Sequence, residues 1–308
     1  MIQGIKVIDF HTHFPNSGEP FPDYKINSIF RKTGNANLEQ AEVWRKAYNF
    51  PAERIDVEDD SEGADIWYQD ILDKDIEKVV FVSGGGNQRL SKIISCHPDR
   101  FIGFAHHHPF KKGAAEELEQ AVTTYGFKGY KVLATAIKEP LDDTSVYPVW
   151  EVCRAYSLPV IVHFGILGSA GGIASGKNIS PLSLHDVARD FPEVTFIVPH
   201  FSAGYPRELL HLCWACPNVC VDTSGSNQWI RWMPFDLTLQ DLFSIFYRTI
   251  GPDRIIFATD SSWFPRGFAF TYLEEQHRIM RFLHFSEEDI EKVLFRNAGR
   301  LLGIGQAN

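Results

Sequence analysis

Short apolar runs that close on a polar side chain recur along the 308-residue chain. They cover residues 7–11, 78–82, 101–106, 127–131, 159–163, 194–200, 219–222 and 254–260, and most are apolar throughout instead of alternating. Near-continuous runs of this kind suit strands buried on both faces of a parallel sheet, because a sheet with one wet face shows alternation. Between the runs, apolar positions recur at helical spacing, as in 114–122, 147–156 and 183–191. From residue 82 onward the run ends lie 22 to 38 residues apart, the length of one strand–helix unit. Eight such units predict an α/β chain with a single domain over 1–308, a closed (β/α)8 TIM barrel.

The first interval is the exception, with 71 residues between the ends of the first two runs. Residues 14–75 mix turn formers (Pro15, Pro20, Pro22, Gly34) with helical stretches near 38–48 and 64–72. Loops after barrel strands emerge at the C-terminal mouth, so this segment is expected to be a cap-like insertion roofing that mouth. Two further long loops belong to the same face, the glycine-rich 165–180 and the aromatic 223–235.

Composition narrows the picture. With 44% hydrophobic, 22% charged and 13% aromatic residues the chain is globular, not disordered, collagen-like or a coiled coil. Thirty basic against thirty-nine acidic residues leave a formal charge of −9 with no basic block, which excludes nucleic acid as the expected partner. The most apolar stretch, 158–168, contains His163 and is far shorter than the ~20 residues that span a bilayer. The first residues show no secretory pattern, and a cytoplasmic location is the expectation. Five cysteines are too few and too scattered for a disulfide framework. The pair Cys213 and Cys216 lacks the second pair of a zinc ribbon and reads as buried thiols. Residues 171–177 fit the spacing of a phosphate loop, but Asn178 stands where Ser or Thr is needed and Pro181 interrupts the following helix. A lid after the fifth strand is the better reading.

Chemistry concentrates at strand ends. His11 and His13 close the first run, and alternation places both imidazoles on one side. His163 ends the fifth, His200 the sixth and Asp260 the eighth. A histidine that merely fills a core does not need four polar counterparts at one level, so the set points to a metal.

In this order, His11-Thr12-His13, His163, His200-Phe201-Ser202-Ala203-Gly204 and Ala258-Thr259-Asp260 resemble the amidohydrolase superfamily. More narrowly, the chain resembles the amidohydrolase-related branch that contains aminocarboxymuconate semialdehyde decarboxylase. Matches at 97–105, 217–225 and 297–302 extend the resemblance over nearly the whole chain. It implies one divalent metal, most often zinc, held by His11, His13, His163 and Asp260. It also implies that Asp260 carries the proton of a metal-activated water, while His200 orients that water or polarises the substrate. The implied function is a metal-dependent hydrolase of an amide, ester or lactone. The alternative is a non-oxidative decarboxylase on the same constellation.

Lys131 ends the fourth run, where two-metal members of the superfamily carry a bridging carboxylated lysine. Here it is carried as a substrate contact beside the plainer reading of a hydrogen-bonded strand end. His106, first of three successive histidines, is a second candidate contact. Arg231, Trp263 and Arg266 complete the set, because guanidinium groups recognise carboxylates and aromatic rings cover flat ligands. A small anionic substrate is the expected partner, without nucleic acid or membrane, and a homodimer is left open.

Overall fold

The computed structural model describes residues 1–15, 20–24, 36–53, 59–167 and 175–304, with 36–41 as backbone. Eight parallel strands follow in chain order: β1 (Ile8–His13), β2 (Lys78–Ser83), β3 (Phe101–Gly103), β4 (Tyr130–Leu133), β5 (Val160–His163), β6 (Phe196–Val198), β7 (Val219–Asp222) and β8 (Ile255–Ile256). Each pairs with its sequence neighbour within two groups, β1–β3 and β4–β8. Parallel bridges Ala105–Tyr130 and Thr12–Ser261 join the groups at both seams, so the strands form a ring. Across the second seam the Asp9 carboxylate accepts the Thr259 N–H at 2.9 Å, and Asp260 N donates to His11 O at 2.9 Å. The fold is a (β/α)8 TIM barrel, as the run spacing predicts.

All eight runs contain a strand: β1 and β2 continue past the ends of their runs, β7 coincides with its run, the other five are shorter, and β4 begins three residues late. At Gly129 an added Cβ would lie within 2.4–2.7 Å of the Phe104 ring, so the chain approaches β3 too closely there for any side chain. Two hydrophobic layers result. Ile8, Phe10, Val80, Val82, Phe104, Ile161, Ile197, Cys220, Ile256 and Ala258 fill the barrel, closed from the far end by Ala298 and Leu302. Outside it, strand residues such as Phe81 pack against helix residues such as Trp67, with ring centroids 5.4 Å apart.

Trp67 belongs to the helix Asp60–Asp73, which connects β1 to β2 and packs on the helix Asn87–Cys96. Asp59 starts it by accepting the Ser61 and Glu62 N–H groups at 2.8 and 3.0 Å. Other described parts of 14–75 lie at the strand ends. Phe21 packs edge-on against His13 and His106, and Tyr24 donates to His107 O at 3.4 Å. Trp44, Tyr48 and Phe50 pack on Trp263 and Tyr272, just after β8. The remainder of that segment, and 168–174 of the glycine-rich loop after β5, lie outside the described residues.

The five cysteines are free, four of them buried, and burial pushes the Cys213 thiol up to about 12. Among the described residues no helix is long and apolar enough to cross a membrane.

Candidate metal centre at the barrel mouth

The site begins with an irregular strand. The register of β1 against β2 slips between Asp9 and Thr12 and again between Thr12 and His13, so simple alternation is not what aims its histidines. Bulges of this kind redirect side chains beside functional sites. The His11 and His13 rings still meet, 5.1 Å apart.

His11 is fully buried. Its Nδ1–H donates to Asp222 Oδ2 at 2.9 Å, leaving the Nε2 lone pair to accept from the Lys131 ammonium at 3.2 Å. Burial first, and Lys131 second, push its pKa down to about 3, so the ring is neutral. Burial alone would raise the Asp222 carboxyl, but His11 and neighbouring donors hold it well below the ordinary carboxylate range. Lys131 is itself 1% exposed, and burial lowers it to about 8.

His200 is fastened from the same strand end. Its Nδ1–H donates to Ser224 O at 3.0 Å, and its backbone N–H donates to Asp222 Oδ1 at 3.3 Å. That tautomer turns the Nε2 lone pair away from β7. The backbone here is unusual, because His200, Phe201, Ser202 and Ala203 all have φ between 36° and 69°. Left-handed conformations cost L-residues roughly 1–2 kcal/mol each, so tertiary contacts must hold this turn. Gly165 makes room for it, since a Cβ there would come within 2.4 Å of Ala203 O.

Asp260 is also left-handed, with φ 58°. Its Oδ1 accepts His13 Nε2–H at 2.9 Å and lies 3.8 Å from His11 Nε2. The Ser83 hydroxyl donates to His13 Nδ1 at 2.6 Å, completing that ring. Burial opposes ionisation of Asp260, but His200, His13 and His11 outweigh it and hold the carboxyl well below its ordinary value. Gly225, with φ 80°, passes close by, and a Cβ there would meet His200 Nδ1 at 3.4 Å and Asp260 Oδ2 at 3.8 Å.

Donor atoms of His11, His200 and Asp260 all lie within 4.8 Å of one another. Imidazoles with a carboxylate are ligands for a borderline divalent ion, and His11 Nε2, which accepts from Lys131 at 3.2 Å, faces that cluster with its lone pair. The residues therefore fit a metal. Of the other expected ligands, His13 reaches the cluster through Asp260, and His163 lies against His200 with centroids 5.0 Å apart. His163 Nε2–H is turned to Ile166 O at 3.2 Å, and burial pushes the ring well below its ordinary pKa.

The expected substrate contacts separate. Lys131 is in the cluster, whereas His106 is buried with both nitrogens engaged: Nδ1–H donates to Phe104 O at 3.1 Å and Nε2 accepts Gly86 N–H at 2.9 Å. Arg231 is exposed, over the Trp232 ring on a groove that includes Tyr48 and Phe235. Arg266 and Trp263 are stacked together, and Arg266 Nη2 donates to the Asp260 carbonyl at 3.4 Å. The sequence alone assigns Asp222 and Ser224 no site role. The signal was present, since Asp222 ends a strand as the recognised residues do, but a strand-end aspartate alone does not reveal which histidine it holds.

A family model described as Amidohydrolase matches residues 8–304. Among solved structures, an uncharacterized TIM-barrel protein from Bordetella bronchiseptica is 21% identical, covering 97% of this chain and 99% of that one at a TM-score of 0.67. A 5-carboxyvanillate decarboxylase from Novosphingobium aromaticivorans, complexed with manganese and 4-hydroxy-3-methoxy-5-nitrobenzoic acid, is 17% identical, with 98% and 97% coverage and a TM-score of 0.62. A probable 2-pyrone-4,6-dicarboxylic acid hydrolase from Acinetobacter baumannii, with citric acid bound, is 15% identical, with 97% and 100% coverage and a TM-score of 0.61. At these identities the likeness is one of fold.

Proposed function

The chain belongs to the amidohydrolase family, a family of enzymes, and from that premise we propose that it is a metal-dependent hydrolase. Its substrate would be a small anionic amide, ester or lactone, attacked by a metal-activated water. The observation that carries this reading is the convergence of His11, His200 and Asp260 donor atoms within 4.8 Å at the barrel mouth.

In this reading His11, His13, His163 and Asp260 hold one divalent ion, zinc by the borderline character of the donors. When bound, that ion supplies the Lewis acidity that makes water a nucleophile near neutral pH. To ligate through Nε2, His13 would carry its ring proton on Nδ1 and donate it to the Ser83 hydroxyl instead of donating from Nε2 to Asp260 Oδ1. Asp260 takes the proton of the attacking water on its carboxylate, and His200 turns Nε2 toward the water or the substrate oxygen. Lys131 places positive charge beside the reacting atoms. Phe21 and the Trp44–Phe50 rings shield the mouth as a cap.

A second arrangement, with His200 as a ligand in place of His163, is favoured by the closer grouping of His200 with His11 and Asp260. A second chemistry, decarboxylation, is favoured by the resemblance in fold to the 5-carboxyvanillate decarboxylase. Metal analysis of purified protein, coupled to a screen of lactones, amides and aromatic or unsaturated carboxylates scored separately for hydrolysis and CO₂ release, tests all of this. About one zinc per chain with lactone, ester or amide cleavage is the expected result. Undiminished turnover after complete metal removal would sink the proposal.

A further inference from the structure

Next to the metal centre lies a cluster of buried donors that the proposed reaction does not use. Trp44 Nε1, Trp263 Nε1 and Arg266 Nε are all shielded from water and have no hydrogen-bond partner among the described residues. Their side chains are contiguous. The Trp44 and Trp263 rings are 5.9 Å apart, the Arg266 guanidinium stacks on Trp263 at 3.4 Å, and Phe50 lies 5.2 Å from it.

Arg266 is 6% exposed. A guanidinium carries five N–H donors and no acceptor, yet among the described residues the one bond it makes runs from Nη2 to the Asp260 carbonyl, at 3.4 Å. No carboxylate pairs with it among the described residues, and Asp260, Asp9 and Glu53 act on it only through space. A buried cation without a partner is costly, and burial accordingly pushes this guanidinium down to about 10. Rings packed on its faces leave the in-plane N–H edge, the part of arginine that grips carboxylates in a fork. Three of the orphan atoms, the two indole N–H groups and Arg266 Nε–H, only donate, and the fourth, the Tyr272 hydroxyl of the same cluster, can donate or accept, so the group that complements the box best is an oxygen anion.

We propose that this box is an anion subsite, in which Arg266, with the Trp263 and Trp44 N–H groups, holds a substrate carboxylate that the reaction leaves intact. Arg266 reaches the backbone of Asp260 and not its carboxylate, which puts the held group beside the reacting atoms and not on them. Arg266 is then the specificity-determining residue, and exposed Arg231 is not required. The subsite deepens the hydrolase reading and rests on it for the reaction, but its binding does not depend on the metal.

The test titrates benzoate and its neutral isostere benzamide into full-length protein, both metal-replete and chelator-treated, following tryptophan fluorescence. Benzoate is expected to bind at least about tenfold more tightly than benzamide in both forms, the scale of one charge-assisted hydrogen bond. Arg266→Met should erase that preference. Trp263→Phe, which keeps the stacked ring and deletes the N–H, should weaken benzoate several-fold and serves if Arg266→Met does not fold. Equal binding of the two probes, or a preference that survives Arg266→Met, overturns the subsite. A preference present only in metal-replete protein puts the carboxylate on the metal and overturns it too, leaving the metal reading standing. Protein that takes up no metal yet keeps the preference supports the subsite while removing the metal-dependent reading.

Discussion

Two neighbouring parts of the barrel mouth treat their polar atoms in opposite ways. In the histidine cluster the orienting nitrogens are occupied: His11 Nδ1 by Asp222, His13 Nδ1 by Ser83 and His200 Nδ1 by Ser224. In the Arg266 box, three buried N–H groups have no hydrogen-bond partner among the described residues. For His11 and His200 the first arrangement sets tautomer and ring direction in advance, as metal sites require of the groups behind their ligands. The second carries an open desolvation cost that a bound anion would relieve. A completed network and an uncompleted one, a few residues apart, divide the mouth into a place for chemistry and a place for recognition.

Breaking the completed network should have the larger consequences. His11→Ala removes the residue that meets Asp222, Lys131 and Asp260 together, so metal content should fall from about one per chain toward zero, and kcat by at least ~10⁴. Elemental analysis and turnover check both, and full metal occupancy in this variant would dissolve the proposed centre. His200→Ala should lower kcat by ~10² to 10⁴ with metal retained. Metal loss as complete as in His11→Ala would instead make His200 a ligand. Asp222→Asn touches neither metal nor substrate, yet it should weaken metal affinity by about 10- to 100-fold in chelator competition, because an amide is a poorer acceptor for His11 Nδ1–H. An unchanged affinity would reduce Asp222 to scaffolding.

Smaller, and confined to stability, is the effect of acid on His106. Burial pushes this ring down to about 4, and its hydrogen bonds need the neutral tautomer. Below the unfolded value near 6.5 the unfolded chain therefore binds a proton that the folded one refuses, and stability drops as pH falls toward 4. From pH 6.5 to 5 the cost is about 2 kcal/mol. Urea unfolding should show an acid-dependent loss in the parent protein that is smaller by about 2 kcal/mol in His106→Phe, whose remaining loss comes from the other buried rings such as His11 and His163. Arg266→Met should keep the parent's acid profile, since a guanidinium does not titrate in this range, and a flattened profile would tie the box to His106.

Much of the scaffold was legible because burial leaves a pattern. Every apolar run contains a strand, and the polar residues closing the first, fourth, fifth, sixth and eighth runs come together although up to 249 positions separate His11 from Asp260. The expected interior placement of His11 and His13 did not foresee the double register slip in β1, because a bulge leaves no periodic trace. His106 and Arg266 looked alike as candidate contacts. Backbone groups saturate the first, aromatic rings stack on the second, and neither environment is local in sequence.

What the sequence determined by itself is the order of the parts: eight buried runs at strand–helix spacing, with ligand-type residues at their ends. Hydrophobic periodicity suffices for this because it records which residues leave water. Only the tertiary structure decided which atoms face one another. The left-handed turn at 200–203 exists because Gly165 leaves space for it. The Nε2 lone pairs of His11 and His200 point away from β7 because that strand end delivers Asp222 and Ser224 behind the rings. Among the described residues Arg266 has no carboxylate partner, because the 44–50 segment and the loop after β8 bring it rings instead. Orientation and pairing depend on partners tens to hundreds of residues away, and short-range pattern holds no record of them.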